Sequence, residues 1–451
     1  MDLKKKNVLV FGTGLSGIGA AVLLHKTGAN PILYDGNEKT DPEEVKKKLG
    51  EGVEAEIIIG ELPGQVMDSL DLAVLSPGVP TDLPLVQLMR KRDVPVWGEV
   101  ELAYENSKGD VLAITGTNGK TTTTSLLGEI MKVHQESVFV VGNIGTPYTG
   151  TALDTKEESV TVAEISSFQL ETICKFRPKV SAILNITPDH LNRHHTMEEY
   201  IRVKECITKN QTRSDTCVLN YEDEVLREFG KTLKCQVLFF SSLRTLEKGI
   251  YLEDDRITYS DGKEKTVICS TGELNLPGRH NHENVMAAVG MAMSYGVPAE
   301  EIRRVVKSFQ AVEHRIEFVT EKDGVVYYND SKGTNPDAAI KGIQAMDRPT
   351  FLIGGGYDKD SSYEEWISSF DGKVKYLVLL GAIREKIAAA ARSCGFDKIL
   401  FADTLEEAVK ICAERAQSGD AVLLSPACAS WDMFPSYEVR GRMFKEYVKN
   451  L

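Results

Sequence analysis

Residues 112–122 read Leu-Ala-Ile-Thr-Gly-Thr-Asn-Gly-Lys-Thr-Thr, an apolar run suited to a strand that passes through Gly116, Thr117, Asn118, Gly119, Lys120, Thr121 and Thr122 into a helical stretch, Thr121 to Lys132. That layout can cradle a phosphate. Glycines let successive backbone N–H groups turn toward an anion, and the start of the following helix adds partial positive charge. Lys120 can reach terminal phosphates and Thr121 offers a hydroxyl to Mg²⁺, so ATP is the ligand to expect. The pattern departs from the common phosphate loop at one place, where Ile114 stands instead of a first glycine. A Gly-rich turn without a ligand is the alternative reading.

A second glycine pattern lies near the start. Gly12, Gly14 and Gly17 follow the apolar run Asn7 to Phe11 and open a helix from about Gly17 to Thr27, with Asp35 after the next strand, Ile32 to Tyr34. This satisfies the dinucleotide fingerprint, and a nicotinamide-dependent oxidoreductase is one reading of it. The glycines themselves demand only a tight turn and close approach of backbone to a pyrophosphate, which any nucleoside diphosphate carries. Ser76, Pro77, Gly78 and Val79, after the strand Leu72 to Leu75, form a second loop at the same sheet edge.

Other side chains have the chemistry for metal and carboxylate work. Glu164 follows the apolar strand Ser159 to Ala163, so its carboxylate emerges at the carboxyl edge of a parallel sheet, either as a magnesium ligand or as an ordinary strand-end acid. Thr187, Pro188, Asp189 and His190 follow the strand Val180 to Leu184 and add an imidazole; His194 and His195 read as a polar, solvated loop. Lys204 falls in the helical stretch Met197 to Asn210, where a lysine ordinarily faces solvent.

The elements that must hold these groups alternate between strand and helix throughout. The chain has 451 residues, enough for about three domains. The first stretch is doubly wound α/β and ends in the polar segment Glu101 to Asp110. The second contains the phosphate loop and turns, between Cys235 and Leu274, to short strands around Ser260-Asp261-Gly262-Lys263. The third repeats strand and helix from about Val312. With 66 acidic and 53 basic side chains, a formal charge of -13 argues against a polyanion such as nucleic acid as partner. No long apolar segment or cleavage-site pattern follows the basic start, so the expectation is a cytoplasmic protein with no membrane partner. The eight cysteines show neither CxxC pairs nor a disulfide framework, and buried, reduced thiols are expected.

Taken together, the motifs resemble the Mur ligase family along essentially the whole chain. The segments are 116–122, Gly142-Asn143-Ile144-Gly145, Glu164 to Glu171, and Pro188-Asp189-His190. They continue through Gly278-x-His280-Asn281-x-x-Asn284, His314 to Glu317, Asn329 to Asn335, and Leu424 to Ser430. The segments 164–171 and 425–430 resemble the glutamate-adding branch.

The resemblance implies three α/β domains: a Rossmann-like nucleotide-sugar domain (1–103), a central P-loop-type ATPase domain (104–311) and a Rossmann-like C-terminal domain (312–451) for D-glutamate. It implies a monomer that uses ATP to join D-glutamate to UDP-N-acetylmuramoyl-L-alanine through an acyl phosphate. By the same resemblance, Gly14, Leu15, Ser16, Asp35, Ser76, Pro77, Gly78, Asn143 and Ser166 would meet the UDP substrate. Residues 116–122 with Asn281, Asn284, Arg315 and Asp330 would bind ATP. Thr121, Glu164, His190 and a Lys204 carbamylated by CO₂ would hold two Mg²⁺ ions, and Lys120 would contact the terminal phosphates. Lys332, Thr334, Lys359, Ser430 and Tyr437 would receive D-glutamate.

Overall fold

The computed structural model describes residues 2–142, 146–276, 278–310, 313–358 and 361–451, apart from the side chains at 192 and 337. Three sheets organise the chain. The first contains β1 (Asn7–Phe11), β2 (Asn30–Asp35), β3 (Glu56–Ile59), β4 (Leu72–Leu75) and β5 (Val96–Gly98), in the order β3-β2-β1-β4-β5. Every pairing is parallel. Both faces of such a sheet must be covered, and the alternation along the strands shows it. Val8, Val10, Leu33 and Val74 enter one core, whereas Leu9, Phe11, Ile32 and Leu75 enter another.

The second sheet has nine strands: β6 (Asp110–Thr115), β7 (Val138–Gly142), β8 (Val160–Glu164), β9 (Val180–Ile183), β10 (Thr216–Asn220), β11 (Gln236–Ser241), β12 (Lys248–Glu253), β13 (Arg256–Asp261) and β14 (Lys265–Ser270). Their order is β14-β13-β12-β11-β10-β9-β6-β8-β7. β6 lies between β8 and β9, all parallel, so the loop after Thr115 leaves the interior of the sheet at its carboxyl edge. Open α/β sheets bind ligands at that edge. From β12 onward the pairing is antiparallel. The reversal at Gly262 has φ +96, and the Asp261 carboxylate accepts from the Lys263 and Glu264 N–H groups at 2.8 Å each.

The third sheet consists of β15 (Glu317–Lys322), β16 (Val325–Asn329), β17 (Thr350–Gly354), β18 (Val374–Leu379), β19 (Ile399–Phe401) and β20 (Ala421–Leu424), in the order β15-β16-β20-β17-β18-β19. Only β15 runs antiparallel to its neighbour.

By compactness the chain divides into two units, residues 1–273 with 283–307 and residues 274–282 with 308–451. The first two sheets share one core in the first unit, in which Leu24, Trp97, Val100, Tyr148 and Leu170 meet. The segment from Glu101, read from the sequence as a polar end to the first stretch, is largely the helix Glu99–Asn106, in which Glu99 and Glu101 are buried. Glu101 accepts from the backbone N–H groups of Cys174 (2.7 Å), Lys175 (2.7 Å) and Phe176 (3.1 Å). Glu99 accepts from the Thr149 N–H at 2.8 Å and its hydroxyl at 3.0 Å. The 103/104 boundary therefore falls inside a helix, and residues 311 and 312 lie outside the described residues.

Five cysteines are buried, Cys217, Cys235, Cys269, Cys412 and Cys428, and all eight are free thiols. Among the described residues no helix is long and apolar enough to cross a membrane.

Candidate active site

The strand-to-helix turn at 116–119 is held in shape by its neighbours. Gly116 (φ +149) and Gly119 (φ +86) occupy conformations that L side chains rarely adopt. Space is equally restrictive at Gly119, where a Cβ would lie 2.1 Å from Asn284 Oδ1. Asn185, just after β9, clamps the turn from the other side. Its Oδ1 accepts from the Asn118 N–H at 2.8 Å, its Nδ2 donates to the Asn118 carbonyl at 3.1 Å, and its own carbonyl accepts from the Thr117 N–H at 2.9 Å. The helix then runs Lys120–His134, with Thr121 and Thr122 buried in its first turn.

Two lysines converge on this turn. Lys120 Nζ donates to the carbonyls of Gly116 and Thr117 at 2.9 Å each. Lys204 Nζ donates to the Gly116 carbonyl at 2.8 Å. Lys204 does not face solvent, as its helical setting suggested: it is 1 % exposed. The helix Met197–Glu205 turns Tyr200, Val203 and Lys204 inward. Lys204 Nζ lies 4.7 Å from the Tyr200 ring centroid, and the Tyr200 hydroxyl shares a 3.0 Å hydrogen bond with the Thr117 hydroxyl. Burial, reinforced by the Lys120 charge, holds the Lys204 amine well below the ordinary lysine value, with Asp189 opposing.

Glu164 ends β8, next to β6, and is 2 % exposed. Ser166 caps the short helix Ser167–Leu170 in a reciprocal box with Gln169. Beyond it the Phe168 ring packs on His190 (centroids 4.9 Å apart) and His194 (5.6 Å). His190 stands at φ 53 before the helix Leu191–His194 and remains about half exposed, so its imidazole is accessible. His194, expected in a solvated loop, is buried, and its Nε2 hydrogen-bonds the Ser167 hydroxyl at 3.0 Å. His195 is exposed and pairs with Asp82 at 3.3 Å. Among the described residues no three His, Cys, Asp or Glu side chains form a metal-binding group. A hard cation beside Glu164 would need oxygens from hydroxyls, phosphates or a modified side chain, and Thr121 and nucleotide phosphates are of that kind.

In the first sheet the three glycines do different work. Gly12 (φ +104) admits Ser76, whose Oγ would be 2.8 Å from a Cβ there; at Gly17 a Cβ would meet the Gly12 carbonyl at 1.9 Å. Gly14 faces open space, and Leu15, at the start of the helix Leu15–Lys26, is 80 % exposed. Ser16 follows in the same first turn. Asp35 accepts from the Thr13 hydroxyl at 2.7 Å, which ties the glycine turn to the end of β2. Ser76, Pro77 and Gly78 border this edge after β4.

In the second unit, His314 (φ 66) and Ile316 (φ 47) mark a strained turn. His314 Nδ1 accepts from Asn329 Nδ2 at 2.9 Å, while the His314 carbonyl accepts from the Lys332 N–H at 3.0 Å. Asp330 is buried and accepts from the Ser425 hydroxyl at 2.7 Å. Burial pushes its carboxyl up to about 7, against the pull of that hydroxyl and of the Arg315 charge. Lys332 Nζ lies 5.8 Å from the Tyr437 ring, and Thr334 donates its N–H to the Lys332 carbonyl at 2.8 Å. Buried Arg440 joins these loops: Nε donates to the Ser331 hydroxyl at 3.0 Å, Nη2 to the Ser331 carbonyl at 2.8 Å and to the Cys428 carbonyl at 3.2 Å, two residues before buried Ser430.

The structure thus gathers 116–122, Asn284 and Lys204 at one turn, with Glu164 on the adjoining strand; Arg315, Asp330, Lys332, Thr334, Ser430 and Tyr437 belong to the second unit, as does Asn281. Asn143 and Lys359 lie outside the described residues. Asn185, Tyr200, Arg193 and Arg440 were not singled out by sequence. Tyr200 had a usable signal, since it stands four residues before Lys204 and so on the same helix face.

Family models match in three consecutive segments: the N-terminal domain of MurD-like Mur ligases over residues 6–98, the Mur ligase middle domain over 114–292, and the Mur ligase glutamate ligase domain over 314–428. The chain belongs to the Mur ligase family. It is 58 % identical, over 451 residues, to the UDP-N-acetylmuramoylalanine--D-glutamate ligase of Lachnoclostridium phytofermentans, covering 100 % of this chain and 99 % of that one. The enzyme of the same name from Clostridioides difficile is 48 % identical over 452 residues, covering 100 % of each. Among solved structures, UDP-N-acetylmuramate-alanine ligase from Thermotoga maritima superposes with a TM-score of 0.60 at 19 % identity, covering 99 % of both chains. The three-domain α/β fold is shared with it.

Proposed function

We propose that this protein is an ATP-dependent ligase that joins D-glutamate to UDP-N-acetylmuramoyl-L-alanine, a cytoplasmic step of peptidoglycan precursor synthesis, and that it acts as a monomer. The observation that carries this reading is the convergence of Lys120 and Lys204 on one phosphate-loop carbonyl, in a chain matched end to end by relatives bearing that activity in their names. Residues 1–103 would take the UDP moiety, 104–311 ATP, and 312–451 D-glutamate.

Amide formation explains the parts. A carboxylate is a poor electrophile, so the terminal carboxylate oxygen of the substrate attacks the γ-phosphorus of ATP and ADP leaves. The amine of D-glutamate then attacks the acyl carbon, the tetrahedral intermediate expels phosphate, and a proton passes to solvent. Charge accumulates on phosphoryl oxygens, which calls for cations and backbone donors rather than a protein nucleophile. Lys120 supplies the cation, and the first turn of the helix Lys120–His134 the backbone donors. Magnesium, when bound, neutralises charge on the phosphates; Thr121, Glu164, His190 and Lys204 would hold two ions.

The setting of Lys204 fits carbamylation. Only a neutral amine adds to CO₂, and burial beside the Lys120 charge favours the neutral form. The reaction forms an N–C bond, releases a proton, and turns the neutral amine into an anion beside Lys120. Asn281 and Asn284 would contact the adenine side of ATP, with Arg315 and Asp330 on its phosphate and ribose. Gly14, Leu15, Ser16, Asp35, Ser76, Pro77, Gly78, Asn143 and Ser166 would serve the muramoyl substrate, and Lys332, Thr334, Lys359, Ser430 and Tyr437 the D-glutamate.

Phosphate release, measured with ATP, the muramoyl substrate and each of D-glutamate, L-glutamate and L-lysine, tests the reading. Turnover is expected with D-glutamate far above the others, because buried cations left without a carboxylate, or an amine misplaced by an inverted stereocentre, raise the barrier. Comparable rates with L-lysine would assign the chain to a different addition step.

A further inference from the structure

Arg193, in the helix Leu191–His194, is engaged on several sides at once. Its Nε and Nη2 donate to the two carboxylate oxygens of Glu171 at 3.2 and 2.7 Å. The same Nη2 donates to the Val79 carbonyl at 2.9 Å. The guanidinium carbon lies 5.0 Å from the Phe168 centroid, and the Phe168 ring packs on His190. The Arg193 and Glu171 side chains are 12 % and 9 % exposed, so solvent screens this fork little.

These contacts join three chain segments that meet nowhere in sequence: the loop after β4, the segment after β8, and the segment after β9. The Ser76–Val79 loop is held at its start by the Ser76 N–H on the Phe11 carbonyl (2.9 Å) and closes on itself through the Val79 N–H on the Ser76 carbonyl (2.9 Å). At its far end the part-buried Arg193 bond tethers it. A pair just beyond the loop, His195 to Asp82, has side chains 69 % and 64 % exposed, and pairs of that kind contribute little.

We infer that Arg193 is a positioning residue: it fixes the Ser76–Val79 loop, and with it the uridine diphosphate end of the substrate, relative to the segment that carries His190. The identity of that substrate rests on the function proposed above. A lysine could keep the charge opposite Glu171 but has no planar fork to bond Glu171 and Val79 together.

The experiment compares wild type and Arg193→Lys on the full nucleotide-sugar substrate and on N-acetylmuramoyl-L-alanine lacking the uridine diphosphate. On the full substrate Arg193→Lys should raise its KM roughly 10-fold or more, as a displaced binding loop would, with the KM for ATP and D-glutamate unchanged. On the truncated substrate the two proteins should have equal kcat/KM. Equal losses on both substrates, or an unchanged KM, overturn the inference. Should Arg193→Lys fail to fold, the neutral pair Arg193→Gln with Glu171→Gln avoids a buried unpaired charge and takes its place. If the wild type turns over neither substrate, the proposed function fails. Calorimetry with uridine diphosphate then still decides, since an unchanged Kd in the variant, or no binding to the wild type, overturns the inference.

Discussion

Lys120 and Lys204 donate to the same oxygen, the Gly116 carbonyl, at 2.9 and 2.8 Å. Burial first, and the Lys120 charge second, disfavour a second ammonium on that acceptor, and the cost falls on Lys204, the more enclosed of the two. If carbamylation relieves it, Lys204→Ala should lose about 100-fold or more in kcat, the scale of a lost charge at a phosphoryl site. A short carboxylic acid such as acetate should restore part of that activity by filling the vacated space with an anion. Full activity in Lys204→Ala, or mass spectrometry and ¹³C NMR showing an unmodified amine in the active enzyme, would remove the carbamate from the mechanism.

Lys120→Ala addresses the other partner. The side chain caps carbonyls of its own turn, while Asn185 holds the backbone of that turn independently. The fold should therefore survive while kcat falls about 100-fold or more for want of charge on the transferring phosphoryl group. Near-normal turnover in a folded Lys120→Ala protein would contradict the assignment of the loop.

How much of this was legible beforehand depended on where the partners of each residue lie. The turn at 116–119 could be read because its signal is local: an apolar run, two glycines, and a helix start. Lys204 misled because a lysine in a helix usually faces water, although Tyr200, Val203 and Lys204 together mark an inward face. Glu101 gave no signal at all. Its three N–H donors belong to Cys174, Lys175 and Phe176, more than seventy positions away, so Glu101 looked like part of a polar linker. Arg193 and Arg440 were opaque for the same reason, since each bonds carbonyls brought near only by the folded sheets.

Asp330 gives a pH signature. Its carboxyl ionises near 3.8 when unfolded and is pushed up to about 7 by burial in the fold. The native state thus holds a proton that the unfolded chain has released between those values, and this contribution falls as pH rises through that window. At about 1.4 kcal/mol per unit, the loss is on the order of 4 kcal/mol. Asp330→Asn, neutral throughout, should remove it, so urea midpoints of the second unit should gain on wild type from pH 4 to pH 8. Parallel curves for the two proteins would mean that Asp330 ionises normally.

Glu101→Ala tests the joint of the first unit. Three backbone N–H groups would lose a buried charged acceptor, at a cost of about 3 kcal/mol or more. Chemical denaturation should show that loss, whereas Glu228→Ala, which breaks the exposed pair with Lys231, should change stability far less. Equal midpoints for the two variants would refute the distinction.

The buried acids of the helix Glu99–Asn106 also bear on how this architecture can be recombined. A cut at the apparent seam near residue 103 would sever the helix that carries both Glu99 and Glu101, leaving Thr149 and residues 174–176 without their acceptors. An N-terminal module grafted from another ligase would arrive with a helix shaped for a different host. Chimeras should tolerate exchange only when the helix travels with the residues it caps, so the inheritable unit here is the pair of sheets together.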